Sequence, residues 1–180
     1  MYSNLINLKD FFDNCKEEYC VIKMPDHFPN YYGFSDLDIL CSDRPKLVDY
    51  TVNFLKRHKN ITVKVHYPEN GKHAHVDVYP NGQRLDLKFD FIDSFSTYKK
   101  NTIKEGFRDI VLRNKESKNG AYVPNTPCEM VIRMLEYIEY IERRPDKIKH
   151  LKYVESKTEH LESFRELWNI FAKEQKEEKR

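Results

Sequence analysis

Two aspartates, Asp36 and Asp38, stand two positions apart in the run GFSDLDIL. With a period of two, Leu37 and Ile39 share one face of a strand and the two carboxylates the other. Side by side on a sheet, two carboxylates repel unless a positive group lies between them. Further acids follow in HAHVDVYPNGQRLDLKFDFI, residues 73–92. If Asn81-Gly82 is a two-residue turn, counting outwards sets Asp77 against Asp86 and Val78 against Leu85. One face then carries Ala74, Val76, Val78, Leu85, Leu87 and Phe89, and the other His73, His75, Asp77, Asp86, Lys88 and Asp90. For the hairpin alone, a solvated face whose acids pair with Arg84 and Lys88 is a sufficient reading. Together with Asp36 and Asp38, the pattern lets three carboxylates converge on one or two divalent cations. Mg2+ takes carboxylate and phosphate oxygens in octahedral geometry. A pair of such ions activates an attacking hydroxyl and neutralises a leaving pyrophosphate.

The elements that must position these acids are legible by periodicity. A helix is expected over 4–18, a buried strand over 20–24, and a loop broken by Pro29 and Gly33. The Asp-x-Asp strand follows over 35–41. SDRPKLVDYTVNFLKRH opens with a Ser/Asp cap and an early proline, and it predicts a helix over 44–58. A strand over 61–67 and the 73–91 hairpin complete a sheet in which Leu37, Ile39, Leu85, Leu87 and Phe89 are buried together. Further on, TPCEMVIRMLEYIEYIERRP reads as a helix with a capping box from Thr126 to Glu129, ended by Pro145. Two more helices are expected before the charged tail KEQKEEKR. Strands before residue 93 and helices after 125 define an α+β protein, a small mixed β-sheet with a helical C-terminal half. The expected domains are a core over 1–93 and a helical region over 94–180 that completes a cleft.

GFSDLDIL followed by a helix and then by RLDLKF resembles the nucleotidyltransferase superfamily, the DNA polymerase β-type fold. The resemblance spans residues 18–93. It implies a small mixed sheet in which Asp36 and Asp38 bind metal and Asp86 is the third ligand and the activator of the acceptor hydroxyl. Asp38 would bridge two Mg2+ ions, with Mn2+ as a substitute, and Asp77 competes with Asp86 for the third place. The family's Gly-Ser pair, which holds the triphosphate at the end of the first strand, is absent; the region reads IKMPDHFPNYYG. Lys23, at the end of the first strand, and Ser35, next to Gly33 and Asp36, would supply phosphate contacts instead, with Lys88 and Arg133 as further nucleotide-binding groups. The implied reaction moves a nucleoside monophosphate from an NTP such as ATP to a hydroxyl or phosphate acceptor. That acceptor is a sugar, a small alcohol, a protein side chain or an RNA end. The alternative is a non-catalytic module of the same fold that binds nucleotide or a partner protein.

Other signals carry less. His73, His75 and Asp77 would place two imidazoles and a carboxylate on one strand face, a partial zinc set that lacks a further ligand. Tyr31 and Tyr32 precede Asp36 and either pack the loop or stack a base. Arg133 and Glu136 are spaced for an intrahelical pair, unless Arg133 reaches the triphosphate. The five glycines are scattered, which excludes phosphate-cradling and dinucleotide loops. No nucleophile elbow is present. Four cysteines without paired spacing suit a reduced, cytoplasmic protein. The N-terminus shows no signal-peptide pattern, and no apolar run reaches membrane-spanning length. The net charge of +2 calls for no nucleic acid. Basic residues gather in 99–118 and 143–152, either as wet helix faces or as a rim that attracts anions. Oligomeric state is left open.

Overall fold

The computed structural model describes residues 2–3, 5–68, 71–81, 83–96 and 98–174. The chain forms two compact units, Met1–Asp93 with Lys115–Val123, and Ser94–Asn114 with Pro124–Arg180. The first holds β1 (Tyr2–Ser3), α1 (Leu8–Asp13), β2 (Tyr19–Val21), β3 (Tyr31–Tyr32), β4 (Ser35–Cys41), α2 (Arg44–Leu55), β5 (Ile61–His66), β6 (His73–Pro80) and β7 (Leu87–Ile92). After these come β8 (Asn101–Ile103) and α3 (Gly106–Arg113) of the second unit, then β9 (Lys115–Lys118) and β10 (Ala121–Pro124). The second unit continues with α4 (Thr126–Tyr140), α5 (Ile148–Glu155), α6 (Leu161–Phe171) and β11 (Ala172–Glu174). The protein is α+β, as the segregation of strand and helix patterns implies. Among the described residues no helix is long and apolar enough to cross a membrane.

The main sheet has the order β2-β4-β7-β6-β5. β4 and β7 run parallel and the other neighbours antiparallel. One face is apolar: Leu37, Ile39, Val76, Val78, Leu87, Phe89 and Phe91 are all buried. Phe11 of α1 sits 5.0 Å from the Phe89 ring and 5.2 Å, edge-on, from Phe54 of α2. Leu47, Val48 and Leu55 of α2 join the same core. Because two helices cover this face, the alternate residues Asp36, Asp38, Lys88 and Asp90 are directed to the other one.

Several boundaries differ from those expected. α1 is confined to Leu8–Asp13, with Asn7 accepting from the Asp10 N–H. α2 starts behind Asp43, whose carboxylate accepts from the Lys46 N–H, and stops at Leu55 rather than at 58. β2 ends at Val21 because Lys23 adopts φ +56°, which no strand allows. α4 is capped by Asn125, whose side chain accepts from the Cys128 N–H at 3.1 Å, so Thr126 is not the head of a capping box.

The β6–β7 register also departs from the count through Asn81-Gly82. Asp77 pairs with Lys88 rather than with Asp86, and Val78 with Leu87 rather than with Leu85. The connection is longer than two residues. Gln83 N–H donates to the Pro80 carbonyl, Asn81 N–H to that of Asn60, and Asp86 N–H to that of Val78. Gly82 lies outside the described residues. Leu85 leaves the ladder and is only half-buried. The slip is even, so every side chain keeps its face and changes its partner. The two-residue turn occurs elsewhere, between β9 and β10, where Asn119 and Gly120 take φ +51° and +86°.

Candidate metal and nucleotide site

The parallel β4–β7 ladder sets Asp36 beside Lys88 and Asp38 beside Asp90. Lys88 Nζ lies 2.9 Å from Asp36 Oδ2, and Lys23 Nζ lies 2.7 Å from Asp38 Oδ2. These two ammonium groups relieve the repulsion that an Asp-x-Asp strand carries. Burial works against the charged form of Lys88. The hydrogen bond and charge of Asp36, helped by Asp90 and Asp38, nevertheless hold its pKa above the ordinary lysine value. The Asp36 and Asp38 side chains remain 55% and 34% exposed, open to a ligand from solvent.

Asp86 precedes β7 and is bound from two sides. Its Oδ2 accepts from Ser3 Oγ at 2.8 Å and from Tyr31 Oη at 2.9 Å. Its carbonyl accepts from the Phe34 N–H, which ties it to the Gly33–Ser35 turn. A Cβ at Gly33 would stand 3.5 Å from Asp86 Oδ1. Asp77, opposite Lys88, accepts from the Tyr79 hydroxyl at 3.2 Å through Oδ2. Its Oδ1 is buried and has no hydrogen-bond partner among the described residues. Tyr31 is fully used inside the fold. It is 2% exposed, its hydroxyl also accepts from the Ile6 N–H, and burial pushes its pKa up to about 12. It is not a base-stacking surface. Tyr32 is exposed, with its ring 4.9 Å from that of His27.

The histidines gather around a different acid from the one their strand suggests. His73 Nδ1 lies 2.8 Å from Asp90 Oδ1, and His75 Nε2 lies 3.5 Å from the same oxygen. One donor atom from each of the three falls within 4.8 Å of the others, and Asp77 is not among them. Burial opposes the charge on Asp90. The hydrogen bond and charge of His73, with His75 and Lys88, outweigh it and hold the carboxyl below its usual range. Burial holds His75 below the ordinary imidazole value. The alternation of residues 73–92 already placed Asp90 on this face, but the assumed turn length hid its partners.

Arg133, in the second unit, does not pair with Glu136. Its Nε and Nη2 donate to Glu129 Oε1 at 2.8 and 2.6 Å, and its guanidinium lies 4.2 Å from the Tyr153 ring centroid. Glu136 accepts instead from Lys147 at 2.6 Å.

No family model matches the chain, and no curated protein matches it. Among solved structures, a crystal structure of an H. pylori protein provisionally designated a nucleotidyltransferase aligns over 91% of this chain and 76% of that one. The TM-score is 0.42 and the identity 7%. A likeness at this level carries no argument, so the chemistry of the acid face stands on its own residues.

Proposed function

We propose that this protein is a metal-dependent nucleotidyltransferase that moves a nucleoside monophosphate from an NTP to a hydroxyl or phosphate acceptor. The observation that carries this reading is the pair Asp36 and Asp38 on an inner strand, each held by one lysine, with Asp86 tied to the adjoining turn. Carboxylate oxygens suit Mg2+, and Asp77, opposite Lys88, keeps a buried Oδ1 with no hydrogen-bond partner among the described residues. Among those residues only His73, His75 and Asp90 stand together at metal-ligand spacing, so the acids of the Asp-x-Asp strand and Asp86 would have to close around an arriving ion. Asp36, Asp38 and Asp86 would hold the metal. Bound there, it would neutralise the leaving pyrophosphate and acidify the acceptor hydroxyl.

The chain's own groups have separate tasks. Lys23 and Lys88 are already at the acids, so an arriving metal would free both ammonium groups for phosphate oxygens. Ser35 and the Gly33 backbone, just before Asp36 in sequence, would add phosphate contacts. Asp86 accepts the acceptor's proton, its carboxylate kept in orientation by Ser3 and Tyr31. The acceptor class is a sugar, a small alcohol, a protein side chain or an RNA end.

The test is turnover of NTPs with Mg2+ by the Asp38→Asn and Asp86→Asn variants. Both variants should fold and lose measurable transfer, and Asp77→Asn should lose less. An Asp38→Asn protein that folds and turns over at the parent rate removes the acid face as the active site. NTP-dependent stabilisation without turnover by the parent protein would instead make it a binding module.

A further inference from the structure

The polar sheet face carries a second group of donors that the transfer reading does not use. His73 and His75 of β6 and Asp90 of β7 bring two imidazole nitrogens and a carboxylate oxygen together, and a third imidazole adjoins them. His66 of β5 pairs directly with His75 in the ladder, and their rings lie 4.8 Å apart at 78°. Side chains directly opposite in an antiparallel pair share a face. Three adjacent strands therefore present His66, His75, His73 and Asp90 side by side.

We infer that His73, His75 and Asp90, with His66 closing the set, bind one divalent cation of the zinc class. For metal–ligand bonds of about 2.05 Å, neighbouring ligands of a tetrahedral site stand about 3.4 Å apart. The His73–Asp90 and His75–Asp90 separations, 2.8 and 3.5 Å, bracket that spacing. The chemistry separates this site from the acid face. Imidazole nitrogens suit zinc, cobalt, nickel or copper, whereas Mg2+ takes oxygen ligands. The site lies where β5, the sheet's edge strand, meets β6, so a bound ion would clamp the edge to the interior. It does not depend on NTP chemistry.

The experiment is a Co2+ titration of the tag-free full chain, followed by visible absorption. The result expected is one ion per chain with the strong visible bands of low-coordinate cobalt, displaced by Zn2+ and not by excess Mg2+. His73→Ala and His75→Ala should each weaken binding by more than the roughly 10–100-fold that loss of an outer-shell partner costs. His66→Ala should weaken it less and alter the band shape. Asp86→Asn, whose carboxylate is held by Ser3 and Tyr31 away from the histidines, should leave the bands unchanged, so loss of transfer and loss of this site are read separately. His75→Asn replaces His75→Ala if the alanine variant does not fold. The inference is overturned if no visible bands form, if Mg2+ displaces the cobalt, or if folded His73 and His75 variants bind it as the parent does.

Discussion

At the scale of single residues, Lys23 is the most informative position. An L-residue in the left-handed region costs about 1–2 kcal/mol, and such outliers persist where the surroundings over-determine them, often at functional sites. Lys23 sits there at φ +56° with its ammonium 2.7 Å from Asp38. Lys23→Ala and Lys23→Gly both delete the ion pair, so their difference isolates the backbone. The glycine variant should exceed the alanine variant in stability by about 1 kcal/mol in urea unfolding. Both should lose affinity for Mg2+–NTP to the same extent, measured by calorimetry. Equal stability of the two variants would show that the turn is unstrained. Parent-like nucleotide affinity in both would remove Lys23 from the phosphate contacts. The same ion pair fixes what Asp38→Asn does without metal. It removes the charge that sits 2.7 Å from the Lys23 ammonium, so a modest loss of thermal stability is expected.

At the scale of elements, two short signals in the sequence decide what could be read and what could not. The α4 start offered Thr126-Pro-Cys-Glu129 as a capping box, yet Asn125 is the residue whose side chain reaches the Cys128 N–H. Asn125→Ala should therefore cost about 1 kcal/mol, and Thr126→Ala close to none. A larger loss from Thr126→Ala in denaturant unfolding would restore the capping box. Of the three Asn-Gly pairs, at 70–71, 81–82 and 119–120, the last two bear on this point. Asn81-Gly82 invites a two-residue turn, but the β6–β7 connection runs from Pro80 to Leu87. Of these two, only Asn119-Gly120 joins its strands directly, and the sequence does not signal it because KESK carries no apolar alternation. Gly120→Ala should lower stability by about 1–2 kcal/mol through its φ of +86° alone. Fluorescence-monitored unfolding reads that loss, and an unchanged midpoint would mean that this turn relaxes at no cost. Faces were legible because side chains alternate with a period of two, and that survives an even slip. Partners were not legible, because register depends on loop length, and so the pairing of Asp90 with the histidines cannot be read from the sequence.

At the scale of the whole molecule, the α+β class was legible because strand and helix patterns segregate along the chain. The return of residues 115–123 to the first unit was not, since no local pattern records which unit a hairpin joins. The cysteines and tyrosines of both units give the last prediction. Burial pushes the Cys15 thiol up to about 11 and the Cys128 thiol up to about 12. The Tyr19 and Tyr153 phenols are likewise driven upward, chiefly by burial. In an unfolded chain, thiols ionise near pH 8.5 and phenols near 10, both approximate values. The folded values are raised, so the stabilisation is complete below the unfolded pKa and is lost as pH rises towards the folded one. The unfolded state sheds protons that the native state retains, and each such group tilts stability downward by at most about 1.4 kcal/mol per pH unit. The unfolding temperature should thus be level from pH 7 to about 8 and fall from about pH 9 upward. Cys128→Ala should make that alkaline slope shallower, because it removes one titrating group. Calorimetric scans across this range decide the matter: an unfolding temperature that stays level to pH 11, or a slope unchanged in Cys128→Ala, would mean that the buried thiol ionises in the folded protein as readily as outside it.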